Sequence, residues 1–109
     1  MKKAIDEKIL DEANSWIKAN HKVALVTVIK TWGSSPRQVG SKMIVNENGD
    51  FSGSVSGGCV ESSVIEETLQ LIKGNVQFKK MQIKVSNENA WEVGLACGGE
   101  VTIYLEIIN

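Results

Sequence analysis

The sequence is poor in the residues that most often build hydrolytic or metal centres. Its 109 residues include one histidine, His21, and one arginine, Arg37, beside eleven lysines. A Ser-His-Asp relay, or a metal site with two or more imidazole ligands, would therefore need His21 or a group from a partner. The two cysteines, Cys59 and Cys97, lie far apart and form no CxxC pair. A zinc knuckle or a thioredoxin-type site is thus without support.

Neither charge nor hydropathy indicates a nucleic acid or a membrane as the partner. Twelve basic and thirteen acidic residues leave a formal charge of -1, so the chain has no bulk field that would attract nucleic acid or anionic lipid. Any anion site must therefore be local. The N-terminus is charged too early for a secretory signal, and no apolar run approaches the ~20 residues of a membrane span. We expect a cytoplasmic protein.

The spacing of apolar residues predicts an α/β domain. At 11.9 kDa the chain has the size of one small domain. Apolar residues at i, i+4 spacing predict a helix over residues 4–20, and a second stripe predicts a helix that starts near Val60 and ends at Gly74. Short apolar or alternating runs predict strands at residues 23–29, 42–45, 50–52, 76–85 and 101–107. The order α, β, β, β, α, β, β favours a mixed sheet of about five strands with two main helices packed on it.

Three local patterns refine this scheme. Asn48-Gly49 predicts a tight hairpin turn between the second and third strands. Glycines, serines and the only proline predict a loop over residues 32–40. In the fourth strand the apolar alternation changes parity at Lys79-Lys80, which predicts a β-bulge there.

Each cysteine lies beside a glycine-rich turn, in Ser56-Gly57-Gly58-Cys59 and in Leu95-Ala96-Cys97-Gly98-Gly99. Glycine lets the backbone come close to whatever the thiol contacts. The first turn also opens a predicted helix, whose unpaired N–H groups favour a bound anion and a thiolate alike. In that position we expect the pKa of the Cys59 thiol to be lowered. The alternative is that both cysteines are small buried hydrophobic residues.

Arg37 and Glu61 are further candidates for binding. A lone arginine in a Gly-Ser-Ser-Pro-Arg loop suggests a fork of donors for phosphate or carboxylate, although it is also suited to capping a strand end. Serines at 54 and 56 can add hydroxyl donors or bond their own backbone. Glu61 either stabilises the start of the second helix or accepts the donor-rich edge of a ligand.

Three separated motifs together resemble the N-terminal domain of the XdhC and CoxI family. They are Gly33-Ser34-Ser35-Pro36-Arg37-Gln38-Val39-Gly40, Gly53-Ser54-Val55-Ser56-Gly57-Gly58-Cys59-Val60-Glu61 and Gly94-Leu95-Ala96-Cys97-Gly98-Gly99. The resemblance covers nearly the whole chain, and it is specific because the motifs occur in the same order. Family members are accessory proteins that bind molybdenum cofactor and assist its sulfuration and insertion into xanthine dehydrogenase or related molybdenum hydroxylases. The resemblance therefore implies a chaperone more than an enzyme.

The resemblance also implies a site. Molybdenum cofactor is an anionic pterin that carries a phosphate and a metal held by sulfur. Arg37 and the Gly57-Gly58 turn would hold phosphate or oxo groups, and the two cysteines would approach the metal or carry sulfur as a persulfide. The implied cofactor-binding residues are Arg37, Ser54, Ser56, Gly57, Gly58, Cys59, Glu61, Cys97, Gly98 and Gly99.

The same resemblance implies which partners the chain has and which domain of the longer family members it corresponds to. The partners would be a molybdenum hydroxylase client such as xanthine dehydrogenase and a sulfur donor such as a cysteine desulfurase. Longer family members continue into a second, Rossmann-like domain, and we expect residues 1–109 to form one XdhC/CoxI-like domain without it. One small domain offers a shallow site, which a homodimer or another partner would complete.

Two other classes of function remain open at this point. A thiol-based redox or sulfurtransferase enzyme would use Cys59 as nucleophile and Cys97 as resolver. It requires the two Cα atoms to come within about 4.4 to 6.8 Å. A structural interaction module would instead keep both thiols buried and unreactive.

Overall fold

In the computed structural model, residues 2–34, 39–55, 61–85 and 98–109 are described. They form two helices and five strands: α1 (Lys2–Lys18), β1 (Val23–Ser34), β2 (Lys42–Asn46), β3 (Phe51–Gly53), α2 (Glu61–Lys73), β4 (Phe78–Val85) and β5 (Gly98–Ile107). The predicted α/β class, with two helices and five strands, is confirmed.

The five strands form one sheet in the order β3-β2-β1-β5-β4. All four pairings within the described ranges are antiparallel, whereas the sequence predicted a mixed sheet. The difference follows from the position of α2 in the chain. A helical crossover produces a parallel pair when the strands before and after the helix are neighbours in the sheet. Here α2 lies between β3 and β4 in the chain, and these strands are the opposite edges of the sheet. The crossover therefore creates no parallel pair.

The two helices pack on opposite faces of the sheet, because successive side chains of a strand point to opposite sides. On one face, α2 contributes Val64 and Leu71 to the larger core, whose other members are Val26, Val28, Met43, Val45, Val55, Val101, Ile103 and Leu105. On the other face, α1 contributes Ile9 and Ala13 to a smaller core with Val23 and Ile44. Burying each large side chain of this kind contributes about 1.5–3 kcal/mol.

β1 continues to Ser34, well beyond the end at Ile29 that the sequence predicted. β2 pairs with it only as far as Thr27, but β5 pairs with it from Ala24 to Ser34. A register shift between Val28 and Lys30 leaves Ile29 as the extra residue of a β-bulge. The predicted loop over residues 32–40 is therefore strand in its first three residues.

The bulge predicted at Lys79-Lys80 is wrong. β4 pairs with β5 in unbroken register from Phe78 to Val85. The parity of the apolar residues changes because Phe78 belongs to the other face of the sheet from Met81. Its ring stacks on Tyr104 with the two centroids 5.9 Å apart, whereas Met81 packs against the larger core.

Both helices end in the same way, with an asparagine in the left-handed region. Asn20 has a φ of 68° and Asn75 a φ of 57°. Beyond α1, His21 N donates to Trp16 O over 3.0 Å, and beyond α2, Val76 N donates to Leu71 O over 3.0 Å. These are the bonds of a Schellman motif. α2 ends before Gly74 as predicted, but Asn75, and not Gly74, adopts the left-handed conformation.

No helix within the described ranges is long and apolar enough to cross a membrane.

The predicted hairpin turn between β2 and β3 is present. Gly49 has a φ of +85°, and its N–H donates to Asn46 O over 3.0 Å. The buried Asn46 side chain closes the turn from inside, because its Oδ1 accepts from the N–H groups of Asn48 at 2.9 Å and Asp50 at 3.1 Å.

Gly53, at the end of β3, occupies a position that admits no side chain. Its φ is +88°, and a Cβ there would overlap the Lys42 carbonyl oxygen and lie 2.9 Å from Ile9 Cδ1. Gly40 has a similar φ of +95°, but a Cβ there would meet nothing within 4 Å. Gly53 therefore allows β3 to lie against both β2 and α1.

A polar contact joins the β2–β3 turn to the segment between α1 and β1. Glu47 Oε1 lies 2.8 Å from His21 Nδ1, and Glu47 Oε2 accepts a hydrogen bond from the Lys22 N–H. The hydrogen bond from His21, followed by that from Lys22, holds the pKa of Glu47 below its ordinary value of 4.5.

Substituting Gly53 tests the close approach. We expect Gly40→Ala to lower the free energy of unfolding by about 1–3 kcal/mol, which is the cost of a strained backbone. Gly53→Ala should cost about 1–3 kcal/mol more, because the steric overlap must also be relieved. Urea unfolding of both variants and the wild type measures the difference. Equal losses would contradict the contact.

Lowering the pH tests the His21–Glu47 contact. A carboxylate whose pKa is lowered by folding stabilises the folded chain above its unfolded pKa, and this contribution disappears as the pH falls through the folded pKa. Glu47→Gln should therefore lower the melting temperature at pH 7, and the gap to wild type should close below about pH 4. Glu66→Gln, at an exposed position of α2, is the control. A gap that does not change with pH would refute this role of Glu47.

Candidate functional site

The sheet brings the flanks of the three sequence motifs to one end. β1, β3 and β4 end there, whereas β2 and β5 begin there; this is called the site end below. Just past β3, Ser54 N donates to Lys42 O over 3.2 Å. The second motif therefore leaves the sheet where β2 begins.

β1 and β5 extend beyond β2 at the site end. Ser34, the last residue of β1, pairs with Gly98, the first residue of β5, and Gly33 pairs with Gly99. The chain enters the segment of Arg37 at Ser34 and leaves the segment of Cys97 at Gly98. The first and third motifs therefore share a boundary of paired residues.

Glu61 makes polar contacts at the site end. This residue begins α2, and its Oε2 accepts a hydrogen bond from Ser54 Oγ over 2.6 Å. The same oxygen accepts a hydrogen bond from the Val55 N–H over 3.0 Å. The carboxylate thus connects the start of α2 to the two residues that follow β3.

Glu61 makes these contacts from a buried position. Its exposed fraction is 8%, and Val55, whose N–H it binds, is fully buried within the larger core. A carboxylate on the first residue of a helix is also stabilised by the helix dipole, typically by about 0.3–1 kcal/mol. The sequence left two roles open for Glu61, and these contacts support the first of them, stabilisation of the helix start.

Four of the predicted cofactor-binding residues lie within the described residues. Ser54 and Glu61 contact each other, and Gly98 and Gly99 open β5 opposite Ser34 and Gly33. Outside the described residues lie Arg37, Ser56, Gly57, Gly58, Cys59 and Cys97. The convergence of both thiols and the guanidinium, and the lowered pKa of Cys59, stay predictions. Within the described part of the chain, no group of three or more His, Cys, Asp or Glu side chains could hold a metal ion.

Sequence reasoning did not pair Ser54 with Glu61, although both were candidates. The signal for this pairing is the arrangement of a hydroxyl donor and a carboxylate acceptor on either side of Gly57-Gly58. Glycine has a wide range of backbone conformations, and the two residues, seven positions apart, lie within hydrogen-bonding distance of each other. This arrangement of a serine and a glutamate predicts their hydrogen bond only when the first residue of α2 is already known.

The chain has identifiable relatives. A profile of the XdhC and CoxI family matches residues 16–80, a range that includes Arg37 and Cys59 but stops before Cys97. The chain is 34% identical over 82 residues to the molybdenum cofactor insertion chaperone PaoD of Escherichia coli, which covers 74% of this chain and 25% of PaoD. It is 27% identical over 88 residues to a probable xanthine dehydrogenase subunit of Bacillus subtilis, which covers 77% of this chain and 26% of that protein. The chain thus spans about a quarter of the length of these two relatives.

The fold also has a counterpart among solved structures. A crystal structure described as a xanthine dehydrogenase from Bacillus halodurans superposes with a TM-score of 0.74 at 23% identity. The match covers 91% of this chain and 30% of that chain. At this identity the likeness establishes a shared fold.

Replacing Ser54 tests the contact at the site end. Ser54→Ala removes a donor to a buried carboxylate, and we expect it to lower the free energy of unfolding by about 1–3 kcal/mol. Ser63→Ala, at an exposed position of α2, is the control and should change it by at most about 0.5 kcal/mol. Chemical denaturation of both variants and the wild type measures the difference in the free energy of unfolding. A Ser54→Ala variant as stable as the control would show that the bond contributes nothing.

Proposed function

This chain belongs to the XdhC and CoxI family, and on that premise we propose that it binds molybdenum cofactor as cargo and delivers it to a molybdenum hydroxylase. The observation that supports this proposal is the convergence of the described flanks of all three motifs at the site end. Ser54 and Glu61 lie there, and so does the Ser34–Gly98 pair. The similarity to PaoD, whose name describes a molybdenum cofactor insertion chaperone, supports the same class of cargo.

The chemistry of the cargo suits the residue types of the motifs. An anionic pterin needs local donors, because the chain as a whole carries a formal charge of only -1. In this proposal Arg37 and the Gly57-Gly58 backbone bind the phosphate or oxo groups. Cys59 and Cys97 supply sulfur ligands or carry sulfur, since a thiolate binds soft metals and accepts sulfur as a persulfide.

Sulfuration, the second part of the proposed role, has a balanced first step. The Cys59 thiolate attacks the outer sulfur of a persulfide on a donor enzyme. A new S–S bond forms on Cys59, the S–S bond of the donor breaks, and the donor cysteine leaves as a thiolate. The outer sulfur is then available to the cofactor, and no external oxidant is needed for this exchange.

Titration with molybdopterin tests the proposal. The wild-type chain should bind it, and Cys59→Ala should weaken binding by about tenfold or more, the equivalent of about 1.4 kcal/mol. Asn48→Ala is the control, because Asn48 is exposed in the β2–β3 turn at the opposite end of the sheet. The control should bind like the wild type. Negligible binding by the wild-type chain and Cys59→Ala alike would overturn the proposal.

A further inference from the structure

The two helices cover the sheet unevenly. α1 lies mainly against β1, β2 and β3, which form one side of the sheet. On β4 and β5, which form the other side, Met81, Ile103 and Leu105 point to the opposite face and pack in the larger core with α2. The residues that alternate with them along these two strands therefore project on the same face as α1.

These alternating residues form a surface at the end of the sheet opposite the site end. Phe78 and Lys80 of β4 lie opposite Glu106 and Tyr104 of β5. The rings of Phe78 and Tyr104 stack across one diagonal, with their centroids 5.9 Å apart, and the two charged residues occupy the other diagonal. Ile108, two residues beyond Glu106, extends the same face. The five residues are called the Phe78 patch below.

The Phe78 patch exposes apolar groups and charges together. Phe78 is 62% exposed and Ile108 36% exposed. Apolar side chains that are exposed side by side mark an interaction surface more often than single ones do. In the described part of the chain, neither Lys80 nor Glu106 takes part in an ion pair. The patch thus offers a partner an aromatic centre with a cation on one side and an anion on the other.

We propose that the Phe78 patch binds the same patch of a second copy of this chain. A partner must offer an apolar group to Phe78, an anion to Lys80 and a cation to Glu106, and the patch itself carries all three. In a two-fold contact each interaction occurs twice, so that Lys80 of either copy meets Glu106 of the other. A formal charge of -1 per chain produces little repulsion between the copies.

The shape of the sheet leaves room for this contact. Two sheets pack face to face at a distance of about 10 Å, which is also about the diameter of a helix with its side chains. The β4–β5 side of one copy therefore fits beside α1 of the other, in the same layer. A two-fold axis along the strands places the two α1 helices on opposite sides of the contact. The site end takes no part in it, so the inference does not rest on the proposed function.

Analytical ultracentrifugation over a range of protein concentrations measures the association. We expect the wild-type chain to form a dimer, and Phe78→Ser to raise the dissociation constant at least about tenfold, because central aromatic side chains contribute most to such interfaces. Phe51→Ser is the matched control. Phe51 is 50% exposed, but it lies at the other edge of the sheet and pairs with Val45, which belongs to the larger core. This variant should associate like the wild type.

Exchanging the two charges tests whether the partner is a second copy. Lys80→Glu alone places two carboxylates together at both symmetry-related positions, and Glu106→Lys alone places two ammonium groups there. Each should raise the dissociation constant at least about tenfold, because like charges in an interface repel. The double variant, Lys80→Glu with Glu106→Lys, restores opposite charges across the contact and should recover most of the lost affinity.

Three outcomes would overturn the proposal. A wild-type chain that stays monomeric at every concentration would leave the patch to a different protein. A dimer that Phe78→Ser and Phe51→Ser weaken equally would form through another surface. A double charge variant no tighter than the single variants would show that the two charges do not meet. Circular dichroism checks that each variant is folded, and the charge variants decide if Phe78→Ser is not. No cofactor is used, so failure here is distinct from failure to bind molybdopterin.

Discussion

The pairing of β1 with β5 is the interaction on which the rest of the structure depends. The two strands occupy the interior of the sheet, and each has a further strand on its outer side. Their contact begins with Ala24 opposite Ile107 and runs to Ser34 opposite Gly98. Without it the sheet would divide into β1–β2–β3 and β4–β5, and the larger core, which takes side chains from both parts, would lose its continuity. The same pairing brings the boundaries of the first and third motifs together. The continuity of the hydrophobic core and the arrangement of the site end therefore both depend on it.

Local patterns in the sequence were enough to predict the elements, but not their arrangement. The i, i+4 stripes identified both helices, and Asn48-Gly49 identified the hairpin, because these signals depend on residues close in sequence. The sheet order depends on which distant strands pair, and no local pattern carries that information. The bulge illustrates the limit. It occurs at Ile29, where the register against β5 shifts, whereas the parity change at Lys79 reflects Phe78 stacking on Tyr104 on the other face.

The site was predictable to a different degree. Residue types and glycine context were sufficient to select Ser54 and Glu61 as candidates, since a hydroxyl and a carboxylate beside a glycine-rich turn can bind either a ligand or the chain itself. Their mutual hydrogen bond was not predictable. It depends on where α2 begins and on how far Val55 is drawn into the core, and both are set by packing against the sheet. Sequence alone indicates which groups are available, whereas packing determines which of them are already engaged within the chain.

Glu61 also places a negative charge at the site end, where it would repel a bound anion. A carboxylate on the first residue of α2 occupies the positive end of the helix dipole, where an anion would otherwise be stabilised. Ser54 and Val55 direct two donors at one of its oxygens, and this offsets part of its charge within the chain. For an anionic cargo the consequence is favourable, because a carboxylate already solvated by protein donors repels a neighbouring anion less than a bare one does. For the cargo proposed above, the attraction must then come from other donors. In a chain with one arginine and a formal charge of -1, the proposal assigns this role to the backbone N–H groups of Gly57-Gly58 and to the guanidinium of Arg37.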